Sequence, residues 1–393
     1  MHIRFLLMDA FSVGGTIRVT FTAASALADR HEVEVVSVYR RRPGPRLPLD
    51  PRVRLRVLSD ERVPQLPTSE PDGRLERGLG RLPSVLVPWS ERRYRSFSAR
   101  TDLRLARYLR GLDGGVLVST RPGLAVATAR WAPPDVVRVA QEHVFLANHP
   151  RALRRAIRRT YGRLDAVVTL TERDAVDYRA LLGTGARTAT QVACIPSAVP
   201  STNARSTHGR KVVVAAGRLV PAKGFDRLVP AFAAVSARHP DWSLRIYGTG
   251  GERSLLEGLV HRHGLERNVQ LMGHAGHLDE ELAEASVFVL SSRNEGFPMV
   301  LLEAMSVGVP VVSFDCRNGP ADLVTDGVDG LLVPQSDVVG LAEAMCRLIE
   351  APGWRREMGQ AALSTAATYA PHRMATRWEE LLSDLAGRSG RSR

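Results

Sequence analysis

Short apolar runs alternate with longer segments of helical periodicity along the first 200 residues. An unbroken apolar run is typical of a strand buried on both faces, whereas apolar residues three or four apart line one face of a helix. A helix is predicted at residues 16–30, and the Pro-, Arg- and Gly-rich residues 43–88 predict loops and short elements. Strands are predicted at residues 3–8, 32–38, 116–119, 136–140 and 166–170.

The same pattern restarts after residues 196–209, whose Ser, Thr, Asn and Pro content is typical of a linker. Repeated strand and helix units predict parallel sheets covered by helices, so the fold class is α/β. Two such halves joined by a linker predict a cleft between them. Further strands are predicted at residues 211–216, 244–247, 287–290 and 309–314, and helices at residues 226–238, 299–307 and 371–386.

Chain length and composition predict a two-domain globular protein. The 393 residues exceed one ordinary core, and 44% apolar with 24% charged residues is typical of soluble proteins. No run approaches the length of a membrane-spanning helix, and the N-terminus predicts a first strand better than a signal peptide. Scattered cysteines without metal spacing favour a cytoplasmic setting: Cys194, Cys316 and Cys346. The predicted parts are residues 1–200, residues 201–370, and a helix and tail at 371–393.

Positive charge is confined to the first half. Residues 1–200 hold 33 Lys and Arg against 19 Asp and Glu, a net of +14, whereas residues 201–393 have a net of −1. Only two lysines occur, Lys211 and Lys223, against 52 arginines. A lysine at position 223 is therefore conspicuous.

The stretch at residues 291–310 carries the strongest chemical pattern. Glu295 lies in a polar loop after a predicted strand, and Glu303 lies eight residues later in an apolar helical run. Loops that follow strands of a parallel sheet lie at its carboxyl edge, where α/β proteins bind ligands. The alternative is a pair of solvated surface glutamates, and the neighbouring motifs argue against it.

Two further loops carry candidate residues, and each follows the first predicted strand of one half of the chain. Arg218 and Lys223 follow the strand at 211–216 and precede a helix, an arrangement that favours diphosphate binding; two solvated basic residues are the alternative. Gly14 and Gly15 open the first helix and could let a ligand approach the backbone closely, although a simple tight turn explains them equally well.

Several stretches of the second half resemble the group-one, or family-four, retaining glycosyltransferases of the GT-B fold. The matching segments include AAGRLVPAKGFDRLVPAF, LRIYGTGGERSLLEGL and SSRNEGFPMVLLEAMSVGVPVV, and they fall in the family's order across residues 211–335. The first half matches more loosely. The resemblance implies two Rossmann-like domains facing a cleft, with a C-terminal helix packing back on the N-terminal domain. It also implies transfer of a sugar, with retention, from a nucleotide diphosphate donor such as a UDP-sugar.

The resemblance also implies roles for individual residues. Glu295 would reach the sugar hydroxyls and Glu303 the ribose, while Arg218 and Lys223 would clamp the diphosphate. The backbone of Phe297, Pro298, Met299 and Val300 would contact sugar and phosphate. In the first half, Gly14 and Gly15 would approach the phosphate or the acceptor, and His143 would face the reacting centre. Without the resemblance, we would interpret His143 as an ordinary structural or surface histidine.

Alternatives to a transferase are open at this point. A nucleotide-sugar epimerase or a sugar phosphorylase of the same fold is the first, and a non-catalytic sugar-nucleotide-binding protein is the second. No metal or other cofactor is expected, since two cations can stabilise the leaving diphosphate. The loop after the strand at 309–314, Cys316 to Asp322, departs from the family's glutamate-bearing pattern, which leaves the sugar's identity open.

Residues 150–164 predict an amphipathic helix with a basic face. Its arginines fall on one side, and Leu153, Ile157, Tyr161 and Leu164 fall on the other. A solvated face is one interpretation; docking on an anionic membrane, or on an acceptor that is lipid-linked or polyanionic, is the other. No nucleic-acid motif accompanies the charge, so no nucleic-acid partner is expected. The basic face consists of Arg151, Arg154, Arg155, Arg158 and Arg159.

Overall fold

A computed structural model describes residues 1–62, 78–183, 190–317 and 319–391. The contact pattern divides them into two units: residues 1–198 together with the C-terminal helix, and residues 199–370. Each unit is a Rossmann-like α/β fold, as predicted. Part of the segment at 43–88 and Asn318 lie outside the described residues. Within the described ranges, no helix combines the length and apolarity needed to cross a membrane.

Within its described residues, the first unit contains seven strands and six helices longer than three residues. The strands are β1 His2–Asp9, β2 Glu32–Arg40, β3 Arg54–Asp60, β4 Val116–Ser119, β5 Val137–Gln141, β6 Ala166–Thr169 and β7 Gln191–Cys194. The helices are α1 Gly15–Leu27, α2 Ala99–Arg110, α3 Pro122–Trp131, α4 Arg151–Thr160, α5 Glu172–Leu182 and the C-terminal α13 Pro371–Arg391.

The second unit contains six strands and seven helices within its described residues. Its strands are β8 Val212–Ala216, β9 Ser243–Tyr247, β10 Val269–Gly273, β11 Val287–Leu290, β12 Val311–Asp315 and β13 Gly330–Pro334. Its helices are α6 Phe225–Arg238, α7 Arg253–Arg262, α8 Leu278–Ala283, α9 Met299–Ser306, α10 Pro320–Leu323, α11 Val338–Glu350 and α12 Pro352–Ala367.

Both sheets are parallel and reverse their strand order once. The first has the order β3-β2-β1-β4-β5-β6-β7 and the second β10-β9-β8-β11-β12-β13. The reversal therefore falls between β1 and β4 in the first sheet and between β8 and β11 in the second. Loops diverge from the sheet at such a point and leave a crevice, which is where open α/β sheets bind ligands.

The C-terminal helix packs on the first unit, as predicted. Trp378 of α13 is fully buried, and its ring meets the ring of Phe5 edge-on with 6.1 Å between centroids. Met374, Leu382 and Leu385 lie in the same core cluster. Helix α13 therefore belongs to the hydrophobic core of the unit that begins the chain.

Strand β3 was not predicted. It has seven residues inside the segment where loops and short elements were expected. It lies at the edge of the sheet, next to β2 alone, and its Arg54 and Arg56 alternate with Leu55 and Val57. This half-exposed alternation differs from the continuous apolar runs that mark the central strands. A further difference is that α4 ends at Thr160, so Tyr161 and Leu164 follow the helix, although both are buried as expected.

Candidate active site

The strongest chemical motifs of the second unit meet at its strand-order reversal. The loop after β8 contains Arg218 and Lys223, and the loop after β11 contains Glu295. Because β8 and β11 are hydrogen-bonded neighbours, the two loops leave the same sheet edge side by side. The strand, loop, helix and strand predicted at residues 287–314 are present as β11, the polar loop, α9 and β12.

Lys223 and Glu295 form an ion pair at the centre of this edge. The Lys223 Nζ lies 2.6 Å from Glu295 Oε1, and the two side chains are 20% and 8% exposed. The Ser292 hydroxyl donates a second hydrogen bond to the same carboxylate oxygen. A buried carboxylate is costly unless it is paired and hydrogen-bonded, and both conditions are met here. The pair holds a cation and an anion ready at a point where a polar ligand can enter.

Glycines bring the neighbouring loops into direct backbone contact. Gly224 has a left-handed φ of 65°, and a Cβ built on it would lie 2.0 Å from the Ser291 carbonyl oxygen. A Cβ on Gly248 would lie 1.8 Å from the Gly217 carbonyl oxygen. Any side chain at either position would therefore separate two loops. The close approach fixes the backbone on both sides of Lys223.

Arg293 locks the same two loops through its side chain, a role that the sequence did not predict. Its guanidinium donates to both carboxylate oxygens of Asp226, at 2.7 and 2.5 Å, and to the Pro221 carbonyl at 2.6 Å. A bidentate pair of this kind adds geometric definition as well as energy. The hydrogen bonds from Arg293 hold the pKa of Asp226 below its ordinary value. In the sequence, only the position of Arg293 two residues before Glu295 indicated a role at the site.

The loop after β12 supports Glu295 from a third direction. A Cβ on Gly319, whose φ is 116°, would lie 2.8 Å from the Pro298 ring and 3.7 Å from Glu295 Cβ. Cys316 is buried nearby; burial, with the charge of Glu295 as a smaller cause, raises the pKa of its thiol to about 12. Asp322 lies on α10 and is exposed. The loop that begins at Cys316, which departs from the family's sequence pattern, thus packs against the site. Its neutral thiol lies beside the loop that contains Glu295.

The other predicted residues of this unit surround the pair without joining it in the structure. Arg218 is exposed, and its guanidinium makes no ion pair with another described residue. Glu303 is half-buried on α9. At the start of α9, Pro298 is buried, whereas Phe297, Met299 and Val300 are half-buried. The structure therefore brings together Lys223 and Glu295 and leaves the roles of the remaining residues as predictions.

The predicted residues of the first unit follow strands that are close together in its sheet. Gly14 and Gly15 follow β1, and His143 follows β5, with β4 between the two strands. A Cβ on either glycine would meet nothing within 4 Å, and Gly14 has an extended φ of 169°. Neither the backbone nor the packing of this unit requires glycine at these positions. Another small residue would therefore fit the backbone at both positions.

His143 is held as a neutral imidazole. Burial, with the positive charge of Arg121 as the second cause, lowers its pKa to about 3. Its Nε2 is buried and has no hydrogen-bond partner among the described residues. Arg121, which sequence reasoning missed, follows β4 and pairs at 2.9 Å with the buried Glu91. Glu91 also accepts the Gly123 N–H at 3.1 Å, so the cation beside His143 is fixed in place.

The architecture matches that of solved structures with two Rossmann-like domains. The full chain superposes on the crystal structure of an S. aureus TarM mutant in complex with Fondaparinux, alpha-GlcNAc-glycerol and UDP, with a TM-score of 0.76 at 15% identity. The match covers 97% of this chain and 99% of that one. A chain of two Rossmann-like units matches the GT-B fold of that structure.

Sequence comparisons find similar proteins for the second unit and for the whole chain. Residues 202–365 match the family described as glycosyl transferases group 1. An exopolysaccharide phosphotransferase of Streptomyces coelicolor is 38% identical over 99% of this chain, although the chain spans only 41% of that relative's length. An amylovoran biosynthesis glycosyltransferase of Erwinia amylovora is 26% identical over 98% of this chain and 100% of its own length. Residues 202–365 are therefore similar in sequence to the group 1 glycosyl transferases.

Proposed function

We propose that this chain is a retaining, hexosyltransferase-type enzyme. It moves a sugar from a UDP-sugar to a hydroxyl acceptor of a cell-envelope glycan, either lipid-linked or polyanionic. The observation that carries the proposal is the ion pair between the half-buried Lys223 and the buried Glu295, at the strand-order reversal of a unit that matches the group 1 glycosyl transferases. The TarM complex, which contains UDP, supports the choice of nucleotide, and the exopolysaccharide and amylovoran relatives support the choice of acceptor class.

The proposed donor lies along the carboxyl edge of the second sheet. Glu303 accepts hydrogen bonds from the ribose hydroxyls, and Arg218 with Lys223 holds the diphosphate. The exposed Arg218 side chain has no ion pair to break among the described residues, so it can turn to the phosphate without losing one. Lys223 is already ordered by Glu295 at 2.6 Å, so little conformational entropy is lost when its ammonium meets a phosphate oxygen.

The chemistry follows from where charge develops. Departure of the diphosphate builds negative charge on its terminal phosphate, and preorganised cations in a site of low dielectric stabilise such charge strongly. Arg218 and Lys223 supply this stabilisation, so the proposed reaction requires no metal or other cofactor. Glu295 orients the sugar hydroxyls and stabilises positive charge at the anomeric carbon. In the proposed front-face reaction the leaving phosphate takes the acceptor proton, and Glu295 forms no covalent bond.

The first unit is proposed to act on the reacting sugar and the acceptor. A neutral His143 can accept or donate one hydrogen bond, and its buried Nε2 has no partner among the described residues. The open space at Gly14 and Gly15 suits the approach of a phosphate or acceptor oxygen to the backbone.

Calorimetry followed by a donor screen tests the assignment. UDP should bind and GDP and ADP should bind more weakly; tighter binding of another diphosphate would refute the nucleotide assignment. Release of UDP from UDP-sugars should then increase when cell-envelope extract is added. Proton NMR should find the donor's anomeric configuration in the product. An inverted product would exclude the retaining class.

The same screen separates the alternatives. An epimerase releases UDP and an altered sugar without any acceptor. A phosphorylase requires inorganic phosphate or pyridoxal phosphate. A binding protein retains UDP affinity and shows no turnover with any donor. Each of these outcomes would replace the transferase proposal.

We also propose that the basic face of α4 holds the enzyme at an anionic membrane on its cytoplasmic side. Leu153 and Ile157 are buried, Arg154 is half-buried, and the other four arginines of the face are exposed. Each exposed basic residue near an anionic surface contributes about 1 kcal/mol, so four could hold a protein there without insertion. Salt should weaken the attraction because it shortens the Debye length.

Co-sedimentation with anionic and neutral vesicles tests this docking. The variant Arg155→Glu, Arg158→Glu, Arg159→Glu should lose salt-sensitive binding to anionic vesicles. A matched control changes three exposed arginines of the second unit, Arg262→Glu, Arg267→Glu and Arg356→Glu, and should bind like the wild type. Equal sedimentation of the two triple variants would refute the role of α4.

A further inference from the structure

Three side chains that commonly bind transition metals meet on the second unit, away from the candidate active site. They are His239, Cys346 and Glu350, and one ligand atom of each lies within 4.8 Å of the other two. His239 Nε2 is 3.0 Å from Glu350 Oε1. Sequence spacing did not reveal the cluster, since His239 lies more than a hundred residues before the other two.

Two packed helices position these residues. Cys346 and Glu350 are four residues apart on α11, a spacing that places both side chains on the same face. His239 directly follows α6, and its backbone N–H donates to the Val235 carbonyl at 2.8 Å. Val235 and Cys346 belong to the same core cluster, so the end of α6 rests against α11. The ligand atoms are thus attached to ordered backbone.

We propose that His239, Cys346 and Glu350 bind one divalent transition-metal ion of the zinc class. A thiolate, an imidazole and a carboxylate form a typical zinc ligand set. Tetrahedral zinc with these ligands separates neighbouring ligand atoms by roughly 3.3–3.8 Å. The observed cluster reaches this geometry when the 3.0 Å His239–Glu350 contact opens slightly and the Cys346 sulfur, which lies within 4.8 Å of both other ligand atoms, moves closer to them. The Cys346 thiol releases its proton to solvent as the metal–sulfur bond forms.

A pocket beside the cluster provides access for the ion. Its volume is about 390 Å³, and His239, Glu350 and Trp242 are among its lining residues. Three protein ligands leave one coordination position open, and a water molecule or an external anion in this pocket can fill it. Arg238 pairs with Glu350 at 2.7 Å and would keep its contact through the second carboxylate oxygen.

The location gives the metal a structural role and not a part in sugar transfer. Helix α6 begins beside Lys223 and Gly224 and ends at the metal ligands. Its 14 residues separate the two ends by roughly 20 Å at 1.5 Å per residue. An ion bound to His239 and to α11 would tie the far end of α6 to its neighbour. The proposal therefore stands independently of the proposed function.

Cobalt(II) binding to the full chain tests the site. One equivalent of Co²⁺ should produce a thiolate-to-cobalt charge-transfer band, and Zn²⁺ should displace the ion and abolish the band. Cys346→Ser should lose the band. Cys194→Ser, which removes a cysteine of the first unit, should retain it. His239→Gln should weaken Co²⁺ binding by more than about tenfold, because loss of even an outer-shell partner can cost that much.

Thermal unfolding provides a second readout. Zn²⁺ should raise the unfolding midpoint of the wild type and of Cys194→Ser, and should leave that of Cys346→Ser unchanged. A wild type without the charge-transfer band, or a Cys346→Ser variant that retains it, would overturn the proposal. Equal Zn²⁺ stabilisation of the two serine variants would overturn it as well.

Discussion

The carboxyl edges of the two sheets are built in opposite ways. In the second unit, Gly224 and Gly248 allow loops to touch, and a Cβ on either would lie within 2.0 Å of a carbonyl oxygen. In the first unit, a Cβ on Gly14 or Gly15 would meet open space. The second edge holds a charged pair, Lys223 and Glu295, whereas the first holds His143 in its neutral form.

This difference separates glycines that the fold requires from glycines that it does not. At the second edge, substitution should damage the site by moving backbone, whether or not a ligand is present. At the first edge, substitution should leave the folded chain intact and act only on whatever approaches from solvent. Stability and activity should therefore respond independently at the two edges.

The largest expected effect is the loss of the cation at the second edge. Lys223→Ala should lower turnover by roughly 100-fold or more, the usual result of deleting one preorganised group that stabilises developing charge. Arg218→Ala should act in the same direction. Initial rates of UDP release from the donor found by the screen provide the measurement.

The second lysine provides a matched control. Lys211 is exposed and pairs with Asp241 on the surface, so Lys211→Ala removes the same side chain outside the site. Its turnover should stay within about twofold of the wild type, as expected for an exposed pair of little energetic consequence. Near-normal turnover of both Lys223→Ala and Arg218→Ala would show that the diphosphate is held elsewhere.

Alanine at the two kinds of glycine tests the comparison directly. Gly248→Ala should lower the free energy of unfolding by about 2 kcal/mol, because its Cβ collides with the Gly217 carbonyl at a φ of 146°. Gly15→Ala should leave it unchanged or raise it by up to about 1 kcal/mol, yet should lower turnover. Urea unfolding and initial rates measure the two quantities. A destabilised Gly15→Ala would contradict the open first edge.

Much of the fold could be predicted from apolar runs, since buried parallel strands have a direct signature in sequence. Strand β3 lacked that signature because it lies at the solvent-exposed edge of the sheet, where Arg54 and Arg56 interrupt the apolar run. Lys223 and Glu295 were both predicted as site residues, but their ion pair was not predicted, because the sequence does not show that the strands before them are neighbours. The Arg293–Asp226 and Arg121–Glu91 pairs were not predicted either, because no local pattern tells which arginine, among 52, meets a carboxylate.

Substitution of the two glutamates at the second edge should have different effects: one on nucleotide binding and the other on sugar transfer. Glu303→Ala should weaken UDP binding by about tenfold, since hydrogen bonds to a charged group contribute about 1.5–3 kcal/mol and part is regained from water. Glu295→Gln should leave UDP affinity within about threefold and reduce transfer, because its carboxylate is assigned to the sugar. Calorimetry with UDP and initial rates measure both. If Glu295→Gln weakened UDP binding and Glu303→Ala did not, Glu295 would be the residue that binds the nucleotide and Glu303 the one that binds the sugar.

The smallest effect tests the first edge through its neutral histidine. An unfolded chain protonates His143 near pH 6.5, whereas the folded chain does so only near pH 3. Acidification through this window favours unfolding, so His143 makes stability rise with pH between these two values. From pH 7 to pH 6 its share of the loss is about 0.7 kcal/mol.

Comparison of His143→Gln with the wild type isolates this contribution, because all other titrating groups are common to both chains. The variant should lose about 0.7 kcal/mol less than the wild type between pH 7 and pH 6 in urea unfolding. The exposed His263→Gln serves as the control and should follow the wild type. If His143→Gln follows the wild type too, the imidazole takes up protons in the folded chain as readily as in the unfolded one. The first edge would then carry a charge near neutral pH. The two edges would differ only in how closely their glycines pack against neighbouring backbone.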